Sequence, residues 1–162
     1  MARLTLADVP HSAAEIIARH QTEAPVRVGA IAADLGITVL VSDLPLSVSG
    51  MLSRIEPGKD KWSIKVNRHE HRNRQRFTIA HEIAHFVLHR DAISDGVIDD
   101  TFYRSGLSER REFEANALAA DILMPWSLVK HLMSKHGTSV PALANALEVS
   151  EAAMHIRLGL PT

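Results

Sequence analysis

Residues 76–91 of this 162-residue chain read RFTIAHEIAHFVLHRD. No other stretch constrains the fold as tightly. It has helical length and an apolar majority, yet His81, Glu82 and His85 stand inside it. Side chains four apart on a helix share a face, so imidazoles at His81 and His85 can reach one ion, each at about 2 Å. Glu82 sits beside the first of them, placed to act as a general base on the water that attacks. A core helix with incidental histidines can show the same pattern. H-E-x-x-H alone therefore does not separate a metal centre from a packing helix.

A catalytic metal needs a third protein ligand. The chain has no cysteine, so thiolate ligands, thiol nucleophiles and disulfides are excluded. His89 lies about 12 Å along the axis from His81 at 1.5 Å per residue, too far for one ion to bind His81, His85 and His89 on a straight helix. It is expected to be a helix-end histidine. Asp91 is six residues past His85, a metzincin-like spacing, but Leu88 stands where that arrangement has a glycine to turn the chain back. The remaining source is a second helix, ERREFEANALAADILMP, with Glu109, Glu112 and Glu114.

The rest of the chain supplies a setting. Residues 12–20 predict a short amphipathic helix, and PVRVGAIAADLG a second one closed by Gly36. ITVLV predicts a strand. SGMLSRIE and KWSIKVN, joined through PGKD, predict a hairpin in which Trp62, Ile64 and Val66 face one way and Ser63 and Lys65 the other. RHEHRNRQR is a basic connection, and DAISDGVIDDTFYRSG reads as a loop long enough to cover a cleft. Ser108 is a candidate N-cap for the second glutamate-bearing helix, which stops at Pro125. WSLVKHLMSKHG and two short tail helices complete the chain. Net charge is −1, which argues against a general polyanion binder. The N-terminus has no long apolar run, and no stretch is long enough to span a bilayer, so a cytoplasmic location is expected.

RFTIAHEIAHFVLHR, followed about thirty residues later by EFEANALAADILMP, resembles the ImmA/IrrE family of metallopeptidases, gluzincin-type zincins of bacteria and phages. The resemblance extends to PVRVGAIAADLGITV, SGMLSRIE, KWSIKVN and the tail LANALEVSEAAMHIRLGL. It implies an α+β, small zincin-like fold. A short mixed or antiparallel sheet would pack with the H-E-x-x-H helix and a second, glutamate-bearing helix. Residues 1–136 would form the metallopeptidase domain and 137–162 a small helix-turn-helix-like tail packed on it. The cofactor implied is Zn2+. The activity implied is endopeptidase cleavage or inactivation of a protein substrate, a helix-turn-helix repressor or antitoxin.

Two glutamates compete for the third ligand position. At 100° per residue Glu112 and Glu114 lie about 200° apart around the helix, so only one can face the metal. Glu112 is preferred. Asn116 stands four residues on, where gluzincins place a group that orients a ligand histidine, and Ala115 and Ala119 allow close approach. Glu114 is the rival. Zincins run the substrate along an edge strand, and KWSIKVN is the candidate, with Ser63, Lys65 and Asn67 on it. Tyr103 is a candidate oxyanion donor.

Arg68, Arg72, Arg74 and Arg76 read as a solvated face. The tail offers DNA only Arg157 as a strong contact, while Glu148 and Glu151 would oppose phosphates, so nucleic acid is an unlikely partner. The competing readings are a catalytically silent zincin-fold module that sequesters a regulator and, behind it, a DNA-binding regulator. Oligomeric state is not legible in the sequence.

Overall fold

In the computed structural model, which describes residues 9–92, 97–101 and 109–160, the chain alternates helices and short strands. Helices α1 (His11–Arg19) and α2 (Val28–Asp34) precede β1 (Ile37–Ser42), β2 (Val48–Arg54) and β3 (Trp62–Asn67). Then come α3 (Arg72–His89), β4 (Val97–Thr101), α4 (Glu109–Leu123), α5 (Trp126–His136), α6 (Val140–Leu147) and α7 (Glu151–Leu158). The α+β expectation is met.

The four strands form one mixed sheet in the order β1-β3-β2-β4. β2 and β3 make the hairpin that PGKD predicts, antiparallel from Gly50 opposite Val66 to Arg54 opposite Trp62. β1 joins the other side of β3 in parallel, from Ile37 opposite Trp62 to Ser42 opposite Asn67. β4 pairs antiparallel with β2.

Two expectations are corrected here. Residues 97–101, read as part of a loop, form a strand. KWSIKVN is not an edge strand, because both sides of β3 are hydrogen-bonded, and Ser63, Lys65 and Asn67 lie at the middle of the sheet. Asn67 is 0% exposed and has a structural task. Its amide donates to the carbonyls of Leu44, Pro45 and Val48, and its oxygen accepts from the His69 N–H. These bonds hold the β1–β2 connection.

α3 is the organising element. The sheet strands β2 and β3 pack on it, as do α2 and α4. Ala80, Ile83 and Ala84 are each 0% exposed, so the helix is enclosed on several sides. Phe86 meets Trp62 edge to face at 6.0 Å between ring centroids. At Gly50 the sheet comes so close that a Cβ would lie 2.4 Å from Thr78 Cγ2 and 2.9 Å from the Lys65 carbonyl oxygen. Only glycine permits that approach.

The tail helices share this core. Val140, Leu143, Leu147 and Met154 belong to the same apolar cluster as Ile83 and Leu118. Arg157 is buried and pairs with Asp121 at 2.8 Å, while its Nε donates to the Met124 carbonyl. It is thereby committed to the interior rather than to a phosphate. The basic run is also partly structural, against the expectation of a solvated face. Arg76 is buried and its guanidinium donates to the carbonyls of Leu147 and Glu148, at the end of α6. Helix ends leave carbonyls without intrahelical partners, and a guanidinium satisfies them. Arg72 adds an ion pair to the Glu148 carboxylate at 3.2 Å.

Candidate metal centre

α3 carries His81 and His85 one turn apart, with Glu82 next to His81, and α4 packs on it. The fully buried Ala115 and Ala119 let the two helices approach closely. That approach delivers Glu112. Its Oε2 is 3.2 Å from His81 Nε2 and its Oε1 is 3.2 Å from His85 Nε2. One ligand atom from each of His81, His85 and Glu112 lies within 4.8 Å of the others, close enough for one ion to bridge. The two imidazole rings stand nearly perpendicular, at 87°, with centroids 4.6 Å apart. Phe77, one turn earlier, stacks on His81.

Glu82 is 0% exposed, and neither of its carboxylate oxygens has a hydrogen-bond partner among the described residues. A buried carboxylate without partners is costly, so such a group points to a cation and water as its neighbours. His85 is 0% exposed, and burial, chiefly, pulls its pKa below the ordinary 6.5, with the Glu112 carboxylate opposing. A neutral imidazole is the form that binds a metal. Two imidazoles, one carboxylate and an adjacent buried acid therefore fit a divalent cation in the manner of a His2Glu catalytic site.

The rival glutamate goes elsewhere. Glu114 Oε1 is 3.0 Å from His89 Nε2, and His89 Nδ1 is 3.0 Å from His85 Nδ1. His89 is thus not a bystander at a helix end. It is 7% exposed and stands behind His85. Reasoning confined to reach toward the ion missed it. The signal was available: His85 and His89 repeat the four-residue spacing of His81 and His85.

Asn116 does not take the orienting role expected of it. It is exposed, and no hydrogen bond joins it to His81 or His85 among the described residues. Asp91 is exposed in the short 3-10 turn (Arg90–Ala92) that follows α3, outside the cluster. Ser63, Lys65 and Asn67 belong to the interior strand already described. Tyr103 and Ser108 lie outside the described residues. Among those residues, no helix is long and apolar enough to cross a membrane.

Comparisons place this geometry in a family context. The model of the IrrE N-terminal-like domain, a peptidase family, matches residues 32–159. The radiation response metalloprotease IrrE of Deinococcus radiodurans is 36% identical over 90 residues, which are 54% of this chain and 27% of that protein. Its counterpart in Deinococcus deserti is 37% identical over 83 residues, 50% of this chain and 29% of that protein. The matches thus span less than a third of these curated relatives. A solved Mycobacterium tuberculosis transcriptional regulator aligns with a TM-score of 0.63 over 94% of this chain and 48% of that one. At 17% identity, that is a likeness of fold.

Proposed function

Because the chain belongs to the IrrE N-terminal-like domain family of metallopeptidases, we propose that it is a zinc-dependent endopeptidase of narrow specificity. The observation that carries this reading is the convergence of His81, His85 and Glu112 beside the buried carboxylate of Glu82, which has no hydrogen-bond partner among the described residues. Zinc is the ion of choice for two imidazoles and a carboxylate with no thiolate. When bound, it would polarise a peptide carbonyl and acidify a water molecule.

The chain's own residues supply the rest. His81, His85 and Glu112 hold the ion. Glu82 takes the proton of the attacking water and returns it to the leaving amine. An extended substrate that adds to the sheet would pair with an outer strand, β1 or β4, since β3 has no free edge. On the resemblance to ImmA/IrrE peptidases, the substrate we assign is a helix-turn-helix repressor or antitoxin, met in the cytoplasm. A module that only sequesters such a regulator would not need all four site residues, and all four are present.

The test is to measure bound zinc in the purified chain and in Glu82→Gln, and to incubate both with candidate helix-turn-helix regulators. Both proteins should hold zinc, and only the parent should cut. Cutting by both, or by neither with zinc bound, would overturn the assignment.

A further inference from the structure

The row of α3 that carries two candidate ligands begins before them. Asn73, Phe77, His81 and His85 follow one another at four-residue intervals and so run as one row along the helix. Phe77 is half-buried and stacks on His81, with ring centroids 6.2 Å apart and planes at 26°. It also lines an apolar cleft of about 550 Å³ between the start of α3, the end of α4 and the tail. Met124 and Val149, 2% and 5% exposed, are buried walls of that cleft. α7 supplies the wall opposite α3. Its Met154 and Arg157 are buried in the core, while Ala153 and Ile156, three residues apart, line the cleft. The Asn73 amide donates to the Val149 carbonyl at 3.3 Å and ties the start of that wall to α3. Ile156 is 72% exposed. A single exposed apolar side chain is ordinary, but one that adjoins an apolar cleft is the form of a binding surface. Arg74, exposed, lines the same cleft. Its guanidinium lies 5.7 Å from the centre of the Phe77 ring and has no carboxylate partner among the described residues.

We propose that this cleft is a specificity site of the candidate peptidase: it takes an apolar side chain of an extended substrate segment, with a carboxylate of that segment facing Arg74, and α7 is one wall of it. Phe77 is shared between cleft and metal centre, so an occupant of one adjoins the other. From Phe77 to Asn73 the cleft lies about 6–12 Å from His81 along α3, at 1.5 Å per residue. A peptide laid along that row advances about 3.3 Å per residue, so the anchoring side chain stands about two to four residues from the scissile bond. The charge of its neighbour follows from the rim. No carboxylate among the described residues lines the cleft, so an acidic residue beside the anchor meets the Arg74 cation without a competitor. The tail then has a task beyond packing, since Ile156 and Ala153 read the substrate. The place of the cut rests on the peptidase reading above; the binding itself requires neither a metal nor Glu82.

The test uses the full-length, metal-free chain with 13C-labelled methyl groups and a capped hexapeptide, Gly-Ser-Asp-Leu-Ser-Gly. The peptide should shift the methyl signals of Met124, Val149 and Ile156 and leave those of the exposed Leu40 and Val41 on β1 in place. Serine in place of its leucine should abolish the shifts. Lysine in place of its aspartate should weaken binding severalfold, a difference that Arg74→Ala should erase. Ile156→Ser, at an exposed position, should lower affinity by about tenfold through lost apolar burial. No shift at the three cleft residues, or equal binding of the leucine and serine peptides, would overturn the proposal. So would a concentration-dependent dimer that Ile156→Ser dissolves, because the cleft would then belong to a second copy of the chain. With zinc added, the parent should prefer peptides with an apolar residue about two to four positions from the cut. Cutting indifferent to those positions would overturn the proposal as well. A zinc-loaded chain that binds the hexapeptide in the cleft and cuts no peptide would sink the peptidase reading and leave the binding site standing.

Discussion

At the scale of single residues, the site turns on which carboxylate faces which imidazole. Glu112→Ala should abolish stoichiometric zinc, whereas Glu114→Ala should only weaken it, as metal analysis after dialysis against a weak chelator would show. Equal retention by both would contradict the geometry that sets Glu112 at 3.2 Å from both His81 and His85. Acid is a second probe. Burial holds His85 and His89 below the ordinary 6.5, against the opposing pull of Glu112 and Glu114. As pH falls, the unfolded chain therefore takes up protons at these positions before the folded one does. Their contribution to stability is complete above about 6.5 and is lost as pH falls from there through the folded values. Urea midpoints of the metal-free protein should drop between pH 7 and pH 5.5, and a midpoint that rises over that interval would count against this account. His81, Glu82 and His85 were legible in the sequence, because i, i+4 spacing on a helix is local geometry. The partnership of Glu114 with His89 was not, because it crosses from α3 to α4.

At the scale of elements, local chemistry and non-local pairing part company. The hairpin of β2 and β3 announced itself through alternating residues and the PGKD turn. The position of β3 in the sheet did not. It depends on β1 arriving in parallel from upstream, and no local pattern records a parallel neighbour. β4 was missed for a related reason: VIDDT is short and carries two aspartates, and its strand character comes from pairing with β2. Contact between sheet and helix gives a sharp test. Gly50→Ala would drive a methyl into Thr78 and the Lys65 carbonyl, and should destabilise the protein by about 1–3 kcal/mol in chemical denaturation. Adding Thr78→Ser, which removes the crowding methyl, should restore part of the loss. A neutral Gly50→Ala would mean that β2 does not lie as close to α3 as described.

At the scale of the whole molecule, the tail and the part that carries the candidate metal centre are tied together by buried polar bonds as well as by a common apolar core. Arg157 pairs with Asp121 of α4, and Arg76 of α3 fills the carbonyls at the end of α6. Removing one partner of a buried ion pair strands the other, so Arg157→Ala should cost about 3–5 kcal/mol, and a loss under about 1 kcal/mol would contradict the burial of that pair. The composition that argued against nucleic-acid binding could not show that the tail's one prominent cation is spent in the interior. The metal centre has the same long-range origin, since His81 and His85 meet Glu112 only when α3 and α4 pack. Calorimetric titration of zinc into the metal-free chain and into Glu112→Ala tests this most directly. The account predicts one ion per chain for the first and no stoichiometric binding for the second. Absence of binding to the parent, or an unchanged isotherm for Glu112→Ala, would contradict it.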